Sequence, residues 1–320
     1  MTVTWGSPHY VETNGVRLAV YDEGKGPAVL MCHGFPELAY SWRHQIPALA
    51  SAGFHAIAPD QRGYGLTSRP QAIEGYDIHH LTGDLVGLLD ALHIEKAVVV
   101  GHDWGGVVAW SMAQLHPKRV AGVIGVNTPL RPRAPMDPIA LMRAVWGDDM
   151  YIVYFQKPGE ADRVLGADVR KTLRFFFRKW TMTIEEFDKR PAEEKNLALV
   201  KALQSDESAW LGTTLFAPEE LDFYTAAFER TGFTGGINWY RNFTRNWQTT
   251  EGVKETIDVP GLMIMAEHDI VLRPALADGM EALVPDLEKH LVKDCGHWTQ
   301  AEQPEELNRV MISWLKRRFG

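Results

Sequence analysis

The chain opens on alternating hydrophobic and polar positions. His9 to Glu12 and Val16 to Asp22 alternate on either side of Asn14-Gly15, a pair suited to the positive φ angles of a tight hairpin turn. Two short apolar runs follow, Ala28 to Cys32 and Phe54 to Ala58, with helical spacing between them over Ser41 to Ala52. Leu81, Leu85, Leu88, Leu89 and Leu92 then fall on one face, so Tyr76 to His93 predicts an amphipathic helix. The β-branched run Ala97 to Val100 leads through a short turn into a helix-like stretch, Val107 to Leu115, and Val120 to Val126 predicts another strand. Strands that alternate with helices imply a parallel sheet.

That rhythm stops near Thr128-Pro129. From Arg131 to Trp247 the pattern contains no clear buried strand. It is rich in aromatics and helix-like runs at Met142 to Trp146, Ala167 to Lys179, Ile184 to Lys189, Ala192 to Gln204 and Pro218 to Arg230. The alternation resumes after Val259-Pro260 with strands Gly261 to Ala266 and Leu287 to Val292. It ends in a helix, Pro304 to Phe319, with proline near its start and Lys316-Arg317-Arg318 at its end. The expected architecture is an α/β core, residues 1–130 and 248–320, interrupted by a helical cap over 131–247. No internal repeat or low-complexity linker interrupts it.

Composition narrows the function. A chain of 320 residues has room for one core and a large insertion. Hydrophobic content of 45% and charged content of 23% are those of an ordinary globular protein. A net charge of −8 disfavours a nucleic-acid or anionic-membrane partner. No apolar run reaches the length of about 18 residues that a membrane span needs. Met1 to Gly15 lacks the basic and apolar segments of a signal peptide, so a cytoplasmic location is the default. In that setting the Asn242-Phe243-Thr244 sequon reads as chance, and Cys32 and Cys295 as buried reduced thiols. The oligomeric state stays open, a homodimer among the options.

Candidate chemistry centres on Gly101-His102-Asp103-Trp104-Gly105-Gly106. Strand, sharp turn and helix, with small residues around one reactive side chain, make a nucleophile elbow. Its central residue is Asp103, where serine is usual. A carboxylate with an ordinary pKa of about 3.9 is ionised at neutral pH and attacks carbon without a base. Attack on an acyl carbon would give a labile anhydride, whereas attack on saturated carbon gives an ester that water can remove. Removing that ester needs a base, and His297 follows the last predicted strand in Asp294-Cys295-Gly296-His297-Trp298. Asp269 ends the preceding strand and can orient the imidazole, giving the order nucleophile, acid, histidine. Asn127, at the other place for that acid, is neutral. The backbone N–H groups of Phe35 and Trp104 are the expected oxyanion donors. Pro36 lacks an N–H, and His33 reads as a structural loop residue. Glu37 is open between holding the incoming water and being a charged helix-start residue. No spaced ligand cluster and no phosphate loop is seen, so no metal or cofactor is expected.

Four segments resemble the α/β-hydrolase-fold epoxide hydrolases of plants, animals and bacteria: His33-Gly34-Phe35-Pro36-Glu37, Asp60-Gln61-Arg62-Gly63-Tyr64-Gly65, the Asp103 elbow and Cys295-Gly296-His297-Trp298. The resemblance spans nearly the whole chain. It implies a mostly parallel sheet of about eight strands with helices on both faces. It also implies two cap tyrosines that protonate the oxygen of an opening epoxide, in Met150 to Gly159 and Gly235 to Asn242. Tyr151 and Tyr240 are assigned, with Tyr154 as fallback for the first. The implied substrate is a small apolar epoxide that reacts with water to a vicinal diol. Phe35, Trp104, Tyr154, Phe155 and Trp239 are expected to line its pocket. Haloalkane or haloacid dehalogenases share the Asp-His-Asp set but release halide, which needs no proton. A non-catalytic ligand receptor on the same fold is the alternative from another class, and an esterase is disfavoured by the aspartate at position 103.

Overall fold

The computed structural model describes residues 5–180, 182–191 and 194–320. The head of the Met1 to Gly15 stretch and Ala192, at the start of one expected helix, therefore lie outside the described residues.

Strands β1 (His9–Thr13) and β2 (Val16–Glu23) form the expected hairpin. Asn14 and Gly15 turn it with φ of 46° and 76°, the left-handed pair that matches strand twist. Then come β3 (Ala28–Cys32), α1 (Gln45–Ser51), β4 (His55–Asp60), α2 (Ile78–Ala91), β5 (Ala97–His102), α3 (Trp104–Leu115) and β6 (Val120–Val126). A long helical insertion separates β6 from the last part of the core. It holds α4 (Pro138–Trp146), α5 (Tyr151–Tyr154), α6 (Glu160–Gly166), α7 (Val169–Phe176), β7 (Arg178–Lys179), α8 (Ile184–Asp188), α9 (Leu199–Gln204), β8 (Thr213–Thr214), α10 (Pro218–Thr231), α11 (Thr234–Arg241) and α12 (Phe243–Thr249). The core closes with β9 (Gly261–Ala266), β10 (Leu287–Val292), α13 (Thr299–Glu302) and α14 (Pro304–Phe319).

Eight strands form one sheet in the order β1-β2-β4-β3-β5-β6-β9-β10. Only the pairings made by β2 are antiparallel. Both faces are covered, which is why the central strands read as unbroken apolar runs. Val29, Met31, Val98, Val100 and Ile124 pack with α1 and α14 through Ile46, Leu49, Met311 and Trp314. Leu30, Val99, Val123 and Met263 face the other way, toward Leu81 and Leu85 of α2 and Val108 and Met112 of α3.

The insertion differs from its sequence reading in several places, among them α6 and α11, which none of the helix-like runs covered. The helix expected over Ala167 to Lys179 is interrupted at its start, because the Asp168 side chain accepts the Lys171 N–H and begins α7 afresh. It also ends early, since Arg178–Lys179 pairs with Thr213–Thr214 as a two-residue ribbon. The run from Ala192 to Gln204 contains α9 only over Leu199–Gln204, and α12 crosses position 247 to reach Thr249.

Polar contacts tie the insertion to the core. Buried Arg43 donates to Glu220, Arg245 to Asp77, and the Ile78 N–H to Asn246 Oδ1 at 2.8 Å. Asn242, the sequon residue, is buried, and its amide donates to the Ile73 and Asn238 carbonyls. Cys32 and Cys295 are free and buried. Among the described residues no helix is long and apolar enough to cross a membrane.

Candidate active site

The elbow is built by close approach. Asp103 takes φ 51° and ψ −122°, a positive φ that a non-glycine residue adopts only when its surroundings enforce it. Enforcement comes from the Thr128 hydroxyl and the Gly106 N–H, which donate to its carbonyl at 2.7 and 3.0 Å. A Cβ on Gly105 would overlap the Cys32 carbonyl, so only glycine lets α3 start this close to β3. The bend turns the Asp103 side chain off the sheet edge into a chamber of about 630 Å³.

The chamber floor carries the charge. Asp103 Oδ1 accepts the Phe35 N–H at 2.9 Å, and the Trp104 N–H also donates to this carboxylate. Burial pushes the Asp103 carboxyl up from its ordinary range, while the His297 and His102 imidazoles and these two amides pull it back. His297 Nε2 stands 3.8 Å from Asp103 Oδ2. On its other side Nδ1 lies 2.8 Å from Asp269 Oδ2. Burial works against the imidazolium, but the carboxylates of Asp269 and Asp103 outweigh it, and His297 is pushed up to about 9. For Asp269, burial opposes the charge, yet His297, the Leu272 N–H and the Asn127 amide hold it down at about 2.

Tyr151 of α5 and Tyr240 of α11 line the same chamber as Asp103 and His297. Their rings meet edge to face with centroids 5.7 Å apart. Tyr240 also sits 5.4 Å from Phe35 and 5.2 Å from Trp104. Burial first, and the Asp103 charge second, push both phenols above their ordinary range.

The pocket lining expected from the sequence needs correction. Phe35 does line the chamber, together with Phe176, Ile270 and Trp298. The side chains of Trp104, Phe155 and Trp239 do not. They are sealed behind the wall, Phe155 and Trp239 with no exposed surface, because they knit the insertion to the core. Trp239 Nε1, for example, donates to the Arg62 carbonyl at 3.1 Å. Tyr154 is absent from the lining too; it is half-buried with Lys157 Nζ 5.9 Å from its ring centre, one short helix away from the Tyr151 face. Glu37 stays out of the chamber as well. Its carboxylate is taken by the Gly34 N–H, His102 and Gln300. His33 is a loop staple whose Nε2 accepts the Gln61 N–H at 3.0 Å.

Asn127 and His102 act as supports; sequence reasoning gave His102 a supporting or structural place and missed the role of Asn127. Asn127 Nδ2 donates to Asp269 Oδ2 at 2.7 Å, and Asn127 Oδ1 accepts the Thr299 hydroxyl at 2.7 Å. His102 Nε2 lies 2.7 Å from the His297 carbonyl, which only accepts, so this nitrogen carries the proton. Glycine spacing and the order of the reactive residues gave no signal for the role of Asn127. The fold also brings Glu267, His268 and Asp294 together, with one ligand atom of each within 4.8 Å of the others, a cluster invisible in the sequence. Glu267 there is already engaged by Lys293 and the Asp294 N–H.

Known proteins resemble this chain over most of its length. Residues 27–304 match the family described as the alpha/beta hydrolase fold. Epoxide hydrolase A of Mycobacterium tuberculosis is 45% identical over 95% of this chain and 96% of its own length. Bifunctional epoxide hydrolase 2 of Sus scrofa is 42% identical over 94% of this chain, which spans 54% of that longer protein. The crystal structure of epoxide hydrolase A from Mycobacterium thermoresistibile superposes with a TM-score of 0.87 at 45% identity, covering 97% of this chain and 98% of that one. The chain belongs to the α/β-hydrolase family and, within it, to the epoxide hydrolases.

Proposed function

We propose that this protein hydrolyses epoxides to vicinal diols through an ester on Asp103, with residues 131–247 acting as a cap over the site. The observation that carries the reading is the shared chamber: a charged Asp103 below, two phenols of the insertion beside it, and His297 within reach of the same carboxylate. Asp103 Oδ2 attacks an epoxide carbon, the ring C–O bond breaks, and Tyr151 or Tyr240 gives its proton to the departing oxygen. Burial makes the remaining phenoxide strongly basic, so it regains a proton at the expense of the His297 imidazolium. Forming the ester also removes the Asp103 charge that helps hold that proton. The imidazole therefore becomes a free base when a base is needed.

Water then attacks the ester carbonyl carbon and gives a proton to His297 Nε2. The oxyanion forms where the Phe35 and Trp104 N–H groups already hold Asp103. Collapse breaks the bond between the carbonyl carbon and the alkyl oxygen, which takes the proton back from His297. The diol leaves, and the new Asp103 carboxylic acid, which keeps the water's second proton, passes it to His297, restoring the carboxylate and the imidazolium. Asp269 keeps the imidazole oriented throughout.

The test is incubation of the purified protein with styrene oxide, with diol followed by mass spectrometry. The parent is expected to form diol. Asp103→Asn, checked for deamidation, is expected to form none, and His297→Gln to accumulate one substrate mass on the Asp103 peptide. Halide release from haloalkanes without diol from epoxides would make the protein a dehalogenase. Reversible binding with no turnover would make it a receptor.

A further inference from the structure

The loop that carries His297 is anchored by a side chain that none of the steps above uses. Glu302, half-buried at the end of α13, accepts the Gly296 N–H on Oε2 at 2.9 Å and the Trp298 N–H on Oε1 at 3.0 Å. These two amides bracket His297. The carbonyl of His297 is held by His102. The start of α13 is fixed in turn by the Thr299 hydroxyl on Asn127, which also holds Asp269. A loop that left these N–H groups without partners would move to satisfy them. Two charge-assisted bonds from one carboxylate instead fix the peptide planes on both sides of the histidine.

We infer that Glu302 is a positioning residue for His297: by clamping the Gly296 and Trp298 amides it aims Nε2 at the ester carbonyl. The inference rests on the proposed function. A positioning role differs from a merely structural one in which step it affects. Asp103 is held by the elbow, Thr128 and the Phe35 amide, none of which touches Glu302. Ester formation is therefore insensitive to the clamp. Ester hydrolysis depends on Nε2 geometry and is sensitive to it.

Two substitutions disturb the clamp by independent routes. Glu302→Gln keeps the size but turns an N–H₂ toward one of the two backbone donors. Gly296→Ala keeps Glu302 but places a Cβ 2.9 Å from its Oε1, which must give way. Both variants and the parent are mixed with styrene oxide in single-turnover experiments, with adduct formation and decay read separately by intact-protein mass spectrometry. In both variants we expect adduct formation within about 2-fold of the parent and decay slowed by about 10-fold or more. Unchanged decay, or formation and decay falling together with a drop in melting temperature, overturns the inference. If the parent itself forms neither adduct nor diol, the proposed function fails first, and that result is distinct from a parent that turns over beside variants that show no split.

Discussion

A phenol acts as an acid only where its hydroxyl faces the oxygen that needs the proton, and neighbouring tyrosines on one short helix can differ completely in this. Tyr151 lines the chamber, whereas Tyr154 lies outside it beside Lys157. Tyr151→Phe and Tyr240→Phe should each slow adduct formation by about 10²-fold, the lower end of what a positioned acid contributes. Tyr154→Phe should leave it unchanged, and single-turnover adduct formation on the three variants decides the matter. That Asp103, His297 and Asp269 belong together was legible from the sequence because each sits in a short, peculiar neighbourhood: glycines around Asp103, a glycine before His297, a strand end before Asp269. Their supports were not legible. Asn127 reads in sequence only as the place where an acid is lacking, and its amide meets Asp269 across 142 positions of chain. Bonds of that span leave no local pattern.

At the scale of elements, the elbow is the most demanding junction. Strand β5 passes into helix α3 through one residue of positive φ, and the helix start lies against the end of β3. Gly105→Ala should therefore cost roughly 1–3 kcal/mol through overpacking, measured as a shift in urea midpoint. Diol formation should fall with it, because the Cβ displaces backbone either at Gly105, two residues from Asp103, or at Cys32 and His33, next to the Gly34-Phe35 loop that holds it. Strands of the core were legible because burial on both faces makes them unbroken apolar runs. The insertion was harder to read. Gly235 and Gly236 argue against a helix by propensity, yet α11 forms there. The glycines are required by contact: a Cβ on Gly235 would overlap the Gly63 carbonyl, and one on Gly236 would crowd Phe35 and the Tyr64 hydroxyl. A close approach between segments so distant in the chain overrides the local preference that a sequence pattern reports. Asp168, by contrast, was a readable helix-start signal in the run taken as one helix from Ala167 to Lys179.

The molecule as a whole inherits a pH dependence from one buried pair. His297 is raised from 6.5 to about 9, so the stability it contributes is fully present below pH 6.5 and is lost as pH rises through about 9. Asp269 is lowered from 3.8 to about 2, so its contribution is present above pH 3.8 and is lost as pH falls through about 2. Melting temperature should therefore fall between pH 6.5 and 9 in the parent and fall less in His297→Gln, as scanning calorimetry across that range would show. The mostly parallel character of the sheet followed from the alternation of strands and helices; the strand order did not. The seating of the insertion did not, since it depends on pairs such as Arg43 with Glu220 that join residues far apart in sequence.

The Phe35 amide grips Asp103 Oδ1 and leaves Oδ2 on the side of His297. If the gripped atom remains the carbonyl oxygen throughout, the oxygen delivered to the product is the protein's own, and solvent refills the carboxylate afterwards. In a single cycle run in water enriched in oxygen-18, the heavy isotope would lodge in Asp103 and the first diol would leave unlabelled. Only later cycles would pass the label on, so the protein carries an isotopic memory of the solvent in which it last turned over.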